Sequence, residues 1–418
     1  MKRKINGMVA LGVSVLLVAT ACSASPAPAS DPQSAAPGSA GEIAIGALVP
    51  LTGGGAEFGP RMEKAIRLAV DEVNKKTPPM NKKLKVFAED GQTSPDAAVR
   101  AAQKLINVNR VKAVVGTWAS AVTLAVAPIA IQSNIALMHT SGANAITDLK
   151  SNGLVWRFQP PARLTGKAIA ASAKVEGWKT AAAAARNDPS GVSTVESFTR
   201  EFEAGGGKVL ETVTYAPEQT AYSGEVRKLS DANADFVFNS TYAPELTVMA
   251  KDAKTNGAEV NWLAPGWAVN KAFIQAVGPA VANGVWAVDS APNVKTKAYD
   301  NFMTAFTKAT GDTLVPSDTY VFSAYDMVIV LALAMNDCEC DTGKGLTDSI
   351  LKVTTPGGDE VTSYADGYEA LKAGKDINYQ GASSNLDFDA KGDQIPLFGL
   401  YRVVDGKVAL QSTFEVKE

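Results

Sequence analysis

One histidine, His139, stands in 418 residues, and the cysteines are only three: Cys22, Cys338 and Cys340. A chain so poor in both has no material for a histidine-ligated metal, a Cys-rich zinc module or a Ser-His-Asp triad. The G-x-S-x-G nucleophile elbow is missing, and so is the G-x-G-x-x-G spacing of a dinucleotide-binding turn. Basic excess is missing too. Forty Lys and Arg oppose 43 Asp and Glu, and beyond the first few residues no basic cluster is dense enough to grip nucleic acid. These absences argue against an enzyme with catalytic side chains, against a resident metal or cofactor, and against a nucleic-acid partner. What remains is an ordinary globular composition, 46% hydrophobic and 20% charged, in a chain long enough for two or three domains.

The N-terminus reads as an export signal. Lys2, Arg3 and Lys4 precede a short apolar stretch over residues 8–18, and the small residues Ala19, Thr20 and Ala21 stand directly before Cys22. That arrangement resembles the lipobox of bacterial lipoproteins, which implies a signal peptide over 1–21 and a lipid on Cys22. Residues 22–41 are almost wholly Ser, Ala, Pro and Gly, a composition that cannot bury enough apolar surface to order itself, and are expected to form a flexible tether. No other segment reads as a membrane span. The chain is therefore expected to be exported and anchored by lipid alone to the outer face of the cytoplasmic membrane, at the cell surface or in the periplasm.

From residue 42 strands and helices alternate. An apolar strand over 42–50 runs into Gly53, Gly54 and Gly55, and Met62, Ala65, Ile66, Ala69, Val70 and Val73 then fall on one helical face. Strands follow over 84–89, 111–116 and 135–140, with helical runs between them. A second series begins after 154–158, with strands over 180–186, 208–215, 236–239, 261–264 and 285–288. Long helices over 297–310 and 320–335 and a hairpin around Asp405-Gly406 close the chain. The rhythm predicts an α/β fold of two Rossmann-like lobes, each with a parallel central sheet covered on both faces. Ligands of such sheets bind beyond the carboxyl ends of the strands, which places a site in the cleft between the lobes.

The series GALVPLTGGGAEFGPRMEKAIRLAVDEVN, then Glu89-Asp90-Gly91-Gln92, Val114-Val115-Gly116 and Pro128-Ile129-Ala130, resembles the type I periplasmic solute-binding proteins. Asn187-Asp188, the run from Ala204 to Val209, Ala234-Asp235-Phe236-Val237 and Tyr242-Ala243-Pro244-Glu245 extend the resemblance into the second lobe. The nearest branch is the leucine/isoleucine/valine-binding family of ABC importers. The resemblance implies three crossovers between lobes, near 158–160, 288–291 and 384–386. Lobe 1 would then comprise 42–159 and 290–385, and lobe 2 would comprise 160–289 and a closing hairpin in 386–418. It also implies hinge closure on a small-molecule ligand, delivery to a permease, and a monomer without cofactor. The family's internal disulfide has no counterpart, since Gly91 and Ala119 stand near its positions.

Carried across residue by residue, the resemblance places Phe58 over the ligand and sets Trp118 and Ser120 in a loop that holds a carboxylate. Ala143 and Asn144 fall in a second carboxylate loop, Ser190 stands where tyrosine is usual, and Tyr242 is retained. Gly266, followed by Trp267, stands where amino-acid binders often supply a glutamate to the ligand ammonium. With glycine there, an amino acid needs another carboxylate, for which Asp188 and Glu57 are candidates. Otherwise the ligand is an aromatic or aliphatic acid without an ammonium. A sensing receptor with the same fold is the remaining alternative. His139, ending an apolar strand, is read as structural. Cys338 and Cys340 are expected to close a small disulfide in an oxidising exterior rather than to hold a metal.

Overall fold

Strand β1 (Glu42–Val49) is buried from its second residue onward, as a strand covered on both faces must be. The computed structural model describes residues 41–416 apart from Asn293 and Lys295. The expected signal peptide, Cys22 and the tether up to residue 40 lie outside the described residues. Beside β1 lie β2 (Lys83–Asp90) and β3 (Ala113–Thr117), and then β4 (Ala136–His139) and β5 (Val155–Arg157), in the order β2-β1-β3-β4-β5 with every pairing parallel. The helix Gly59–Lys75 turns the face expected from its sequence inward, and Pro60 begins it where a missing N–H costs nothing.

The second sheet is built from β6 (Thr180–Arg186), β7 (Lys208–Tyr215), β8 (Phe236–Ser240), β9 (Trp262–Pro265) and β10 (Trp286–Ser290). Two antiparallel strands, β13 (Phe398–Val404) and β14 (Lys407–Phe414), complete it in the order β14-β13-β10-β9-β8-β6-β7. Five buried alanines make up the middle of β6, and their alternation divides them between the two cores on either face of the sheet. Small side chains there let large ones fill the layer above: Phe198, Phe202, Phe236 and Phe238 interlock over Ala181, Ala183 and Ala185. A small parallel pair, β11 (Asp359–Val361) and β12 (Ile377–Tyr379), stands apart from both sheets.

The helix Thr319–Cys338 is long and apolar enough to cross a bilayer by length and composition alone. Every residue from Thr319 to Met335 is buried inside the protein, and the helix packs between Gly59–Lys75 and Gly343–Thr354. Asp326 lies in its midst. The Asp326 carboxylate accepts from the Tyr379 hydroxyl, the Ala382 and Ser383 N–H groups and the Ser383 hydroxyl, a set of partners that only a folded protein interior supplies.

At the end of this helix Cys338 is disulfide-bonded to Cys340, with Glu339 between them in the left-handed region. A loop this short constrains the unfolded chain little, so the bond is expected to contribute no more than about 2 kcal/mol. Replacing both cysteines by serine should lower the melting temperature by a few degrees and leave ligand affinity unchanged. Calorimetry and titration of that variant check both outcomes.

Candidate functional site

The chain passes from the first sheet to the second after β5, leaves the second after β10 and returns to it at β13, and these three crossings are tied to one another by polar contacts. Gln159 in the first accepts from the Ser290 hydroxyl in the second at 2.8 Å and donates to Ser323 at 3.0 Å. Ala291 N–H reaches Leu397 O at 2.7 Å, and Arg157 N–H reaches Gly392 O at 2.8 Å, joining the third crossing to the other two. The loops at the carboxyl ends of β3, β4, β6, β8 and β9 meet beside these crossings.

There they enclose a cavity of about 30 Å³. Trp118, Ser120, Thr140 and Gly142 line it from the first sheet, and Ser190, Thr194, Tyr242 and Trp267 from the second. Gln159 and Tyr320 close the hinge side. The rings form one cluster. Trp118 lies 4.8 Å from Tyr242 and 5.9 Å from Tyr320 by ring centroid, Phe58 sits 5.7 Å behind Trp118, and Trp267 is 6.3 Å from Tyr320. The Trp267 indole N–H donates to Thr241 O at 2.9 Å, which fixes the ring at the edge of the cluster. Arg186 stacks its guanidinium 4.2 Å over Tyr242 and is itself held by Asp188 at 2.6 Å and Glu245 at 3.1 Å. Trp118, Tyr242 and Trp267 also face an outer groove of about 340 Å³. These three rings therefore divide an inner space the size of one or two waters from a space the size of a small solute.

The polar end of the cavity is the start of the helix Ser120–Gln132, whose leading N–H groups lack intrahelical acceptors. That end suits an anionic group, because the unpaired N–H groups and the helix dipole act in the same direction. Ser120 Oγ accepts from Ala143 N–H at 3.0 Å, leaving its own proton to donate. Ser141 and Thr123 pack behind it in a buried hydroxyl network, with the Ser141 hydroxyl donating to Trp118 O at 2.8 Å. His139 is fully buried beneath this loop. Its Nδ1 accepts from Ser141 N–H at 3.0 Å, and burial, with the Arg157 charge, holds its pKa well below the usual value, so the ring is neutral.

Of the residues expected at the site, Trp118, Ser120, Ser190, Tyr242 and Trp267 line the inner cavity. Phe58 supports the cluster from behind and faces the outer grooves. Ala143 is buried with its N–H spent on Ser120. Asn144 stands apart from the cavity. Its side-chain oxygen accepts from Arg163 N–H at 2.9 Å, so its short amide serves the start of the helix Ala162–Val175. Gly266 lines a groove of about 610 Å³ that also holds Phe58, Glu57 and Asp318. The two carboxylates proposed to replace a glutamate there are both engaged. Asp188 caps its helix through Ser190 and Gly191 and pairs with Arg186, and Glu57 lies beside Arg61 and accepts from Ala272 N–H. The carboxylate nearest Gly266 is instead Asp289. Sequence reasoning missed Asp289, Tyr320, Gln159 and Thr194. An acid inside an otherwise apolar strand was the available signal for Asp289, and an aromatic at the head of the returning helix was the one for Tyr320.

Burial pushes the Asp289 carboxyl up to about 7, against lowering hydrogen bonds from Ser290, and pushes Asp326 up to about 6 against its four donors. Both start from 3.8 when unfolded. Across this window the folded state binds protons that the unfolded state has released. Stability contributed by the two groups is therefore greatest below about pH 4 and declines as pH rises toward 7. Urea midpoints are expected to show this slope, and Asp289→Asn is expected to flatten it. An unchanged slope in that variant would contradict the assignment.

The model of the periplasmic binding protein family matches residues 42–383. The chain belongs to the periplasmic binding proteins. Its fold is the type I arrangement of two α/β lobes. Among curated relatives, the Leu/Ile/Val-binding protein BraC3 of Rhizobium johnstonii is 26% identical over 80% of this chain and 93% of its own length. Among solved structures, a leucine-binding protein from Thermotoga maritima superposes with a TM-score of 0.77 at 21% identity, covering 89% of this chain and 99% of the other. A solute-binding protein of an ABC transporter from R. palustris, in complex with benzoate, superposes with a TM-score of 0.72 at 19% identity over 89% and 96%. As a member of this family the chain is an extracytoplasmic solute-binding protein, and the cavity lies at its lobe junction.

Proposed function

We propose that this binding protein serves an ABC importer, capturing a small carboxylate-bearing solute between its lobes and presenting the closed complex to a permease. Hydrophobic and branched-chain amino acids are the first candidates. The observation that carries the reading is that, at the carboxyl ends of the strands of both sheets, an inner cavity with an N–H- and hydroxyl-rich end at Ser120 and an outer groove of about 340 Å³ share one aromatic wall. The ligand carboxylate is held by the leading N–H groups of Ser120–Gln132 and by the Ser120 hydroxyl. Its apolar body lies against Trp118, Tyr242, Trp267 and Tyr320. Because Trp118 comes from one lobe and Tyr242 and Trp267 from the other, a solute between them draws the lobes together, and hinge closure follows from ligand contacts to both.

The names of the curated relatives support the amino-acid class. A second reading, an aromatic acid without an ammonium, is favoured by the ring-lined wall and by Gly266, and the benzoate-bound neighbour shares the fold. No side chain is assigned a catalytic role, and the protein acts as a monomer. In the same proposal a lipid on Cys22 and a tether over 22–41 hold it at the outer face of the cytoplasmic membrane.

Ser120→Ala tests the polar end. Hydrogen bonds to charged groups contribute about 1.5–3 kcal/mol, so the variant is expected to bind the solute at least about tenfold more weakly. Calorimetric titration measures it, and an unchanged dissociation constant would remove Ser120 from the site.

A further inference from the structure

We propose that Asp289, with the Tyr401 hydroxyl beside it, forms an anionic subsite that takes a protonated amine of the captured solute, making the ligand an amine-bearing acid. The inference rests on the cleft being the solute site, as proposed above. Asp289 is the penultimate residue of β10 and is 1% exposed. One carboxyl oxygen accepts from Ser290 N–H at 2.7 Å, and the other, Oδ2, has no partner. No lysine or arginine acts on it. Among the described residues two other carboxylates also keep a buried oxygen without a partner. Glu245 faces Arg186, and Asp387 is partly exposed beside Asn378. Asp289 alone of the three combines an idle oxygen with full burial and no compensating cation.

Two glycines make this arrangement. A Cβ at Gly266 would stand 2.6 Å from Asp289 Oδ2, so the carboxyl occupies the place where a side chain at 266 would begin. Gly399 pairs with Asp289 across β10 and β13, and a Cβ there would stand 2.8 Å from the Tyr401 hydroxyl oxygen. Cross-strand partners project to the same face, which brings that hydroxyl alongside the carboxyl. The Tyr401 oxygen is likewise buried without a partner. Two idle acceptors thus sit together, and an ammonium supplies donors for both.

The Asp289 carboxyl acts electrostatically on Tyr320, which lines the cavity, and Gly266, which the carboxyl abuts, lines the neighbouring groove of about 610 Å³ and precedes Trp267 in the chain. A solute with its carboxylate at Ser120 and its amine at Asp289 would span the cavity from the first sheet to the second. A buried carboxylate without a cation is costly, and a cation from the ligand offsets that cost where an uncharged body does not.

The test is calorimetric titration of the full chain with leucine, valine and phenylalanine, each beside the matched acid that lacks the amine. At least one amino acid is expected to bind far more tightly than its deaminated counterpart. Asp289→Asn should weaken that amino acid by about 30-fold or more, the scale of a broken buried charge pair, and leave the deaminated acid within a few-fold. Tyr401→Phe, which removes a single oxygen, should weaken the amino acid several-fold and serves if the first variant fails to fold. Amino-acid affinity unchanged in both variants, or a wild type that prefers the deaminated acids, would overturn the amine subsite. If Trp267→Ala still abolished binding in that event, the solute cleft would stand. If none of the titrants bound, both proposals would fall.

Discussion

Arg157→Met is expected to destabilise the protein by about 3–5 kcal/mol, the scale of breaking a buried ion pair. Arg157 is 1% exposed, and its Nε pairs with Asp393 at 2.8 Å. The remaining guanidinium protons reach Gly142 O, Ala143 O and the Thr147 hydroxyl, the loop that follows β4. Asp393 also holds Arg163 and Thr147 at 2.8 and 2.7 Å. One side chain therefore ties the end of the first sheet, the Ser120-facing loop and the third crossing. Methionine keeps the volume and removes every donor, so the Asp393 carboxylate keeps only Arg163 and Thr147, and Gly142 O and Ala143 O lose the guanidinium donors. The urea midpoint should fall accordingly. Adding Asp393→Leu should restore part of the loss, because it leaves no buried charge at the pair and the partly exposed Arg163 keeps Asp389. A change below about 1 kcal/mol in the single variant would contradict the role given to the pair.

Trp267→Ala and Tyr242→Ala are expected to reduce solute affinity by about 30-fold or more each, as truncated aromatic anchors at the centre of a site commonly cost at least about 2 kcal/mol. Trp267 is only partly buried, and removing it deletes one hydrogen bond to Thr241 O, so the fold should persist. Tyr242 carries the additional stack with Arg186, and its loss should also release that guanidinium from the cleft wall. The variants separate binding from folding when circular dichroism and melting temperature are read beside the titration. Affinity retained in both would mean that the solute does not touch this wall.

Most strands of both sheets were legible as apolar runs bounded by turn residues, and the alanine-rich β6 and the alternating β7 fall over the residues expected. The helix Lys297–Thr310 also matches, its N-cap Thr296 and closing Gly311 being plain signals. Less was readable between Gly343 and Tyr379. Two helices and the β11–β12 pair lie there, with short apolar runs interrupted by polar residues, and tertiary packing against Thr319–Cys338 decides them. At the site, loops after strands gave Trp118, Ser120, Tyr242 and Trp267. Asp289 was not readable, because its meaning depends on which strands flank β10 and on glycines over a hundred residues apart. Asn144 shows the converse: a polar residue at the right place in the chain, turned by the fold to serve a neighbouring helix.

The most direct test of a solute-binding cleft is a thermal melt of the protein against amino acids, aromatic acids and short-chain acids. A bound solute at about 100 times its dissociation constant adds about 2.7 kcal/mol of stability. A clear rise in melting temperature is expected with at least one carboxylate-bearing solute, lost in Tyr242→Ala. A melt that no carboxylate moves, or one that rises equally in wild type and Tyr242→Ala, would contradict that cleft.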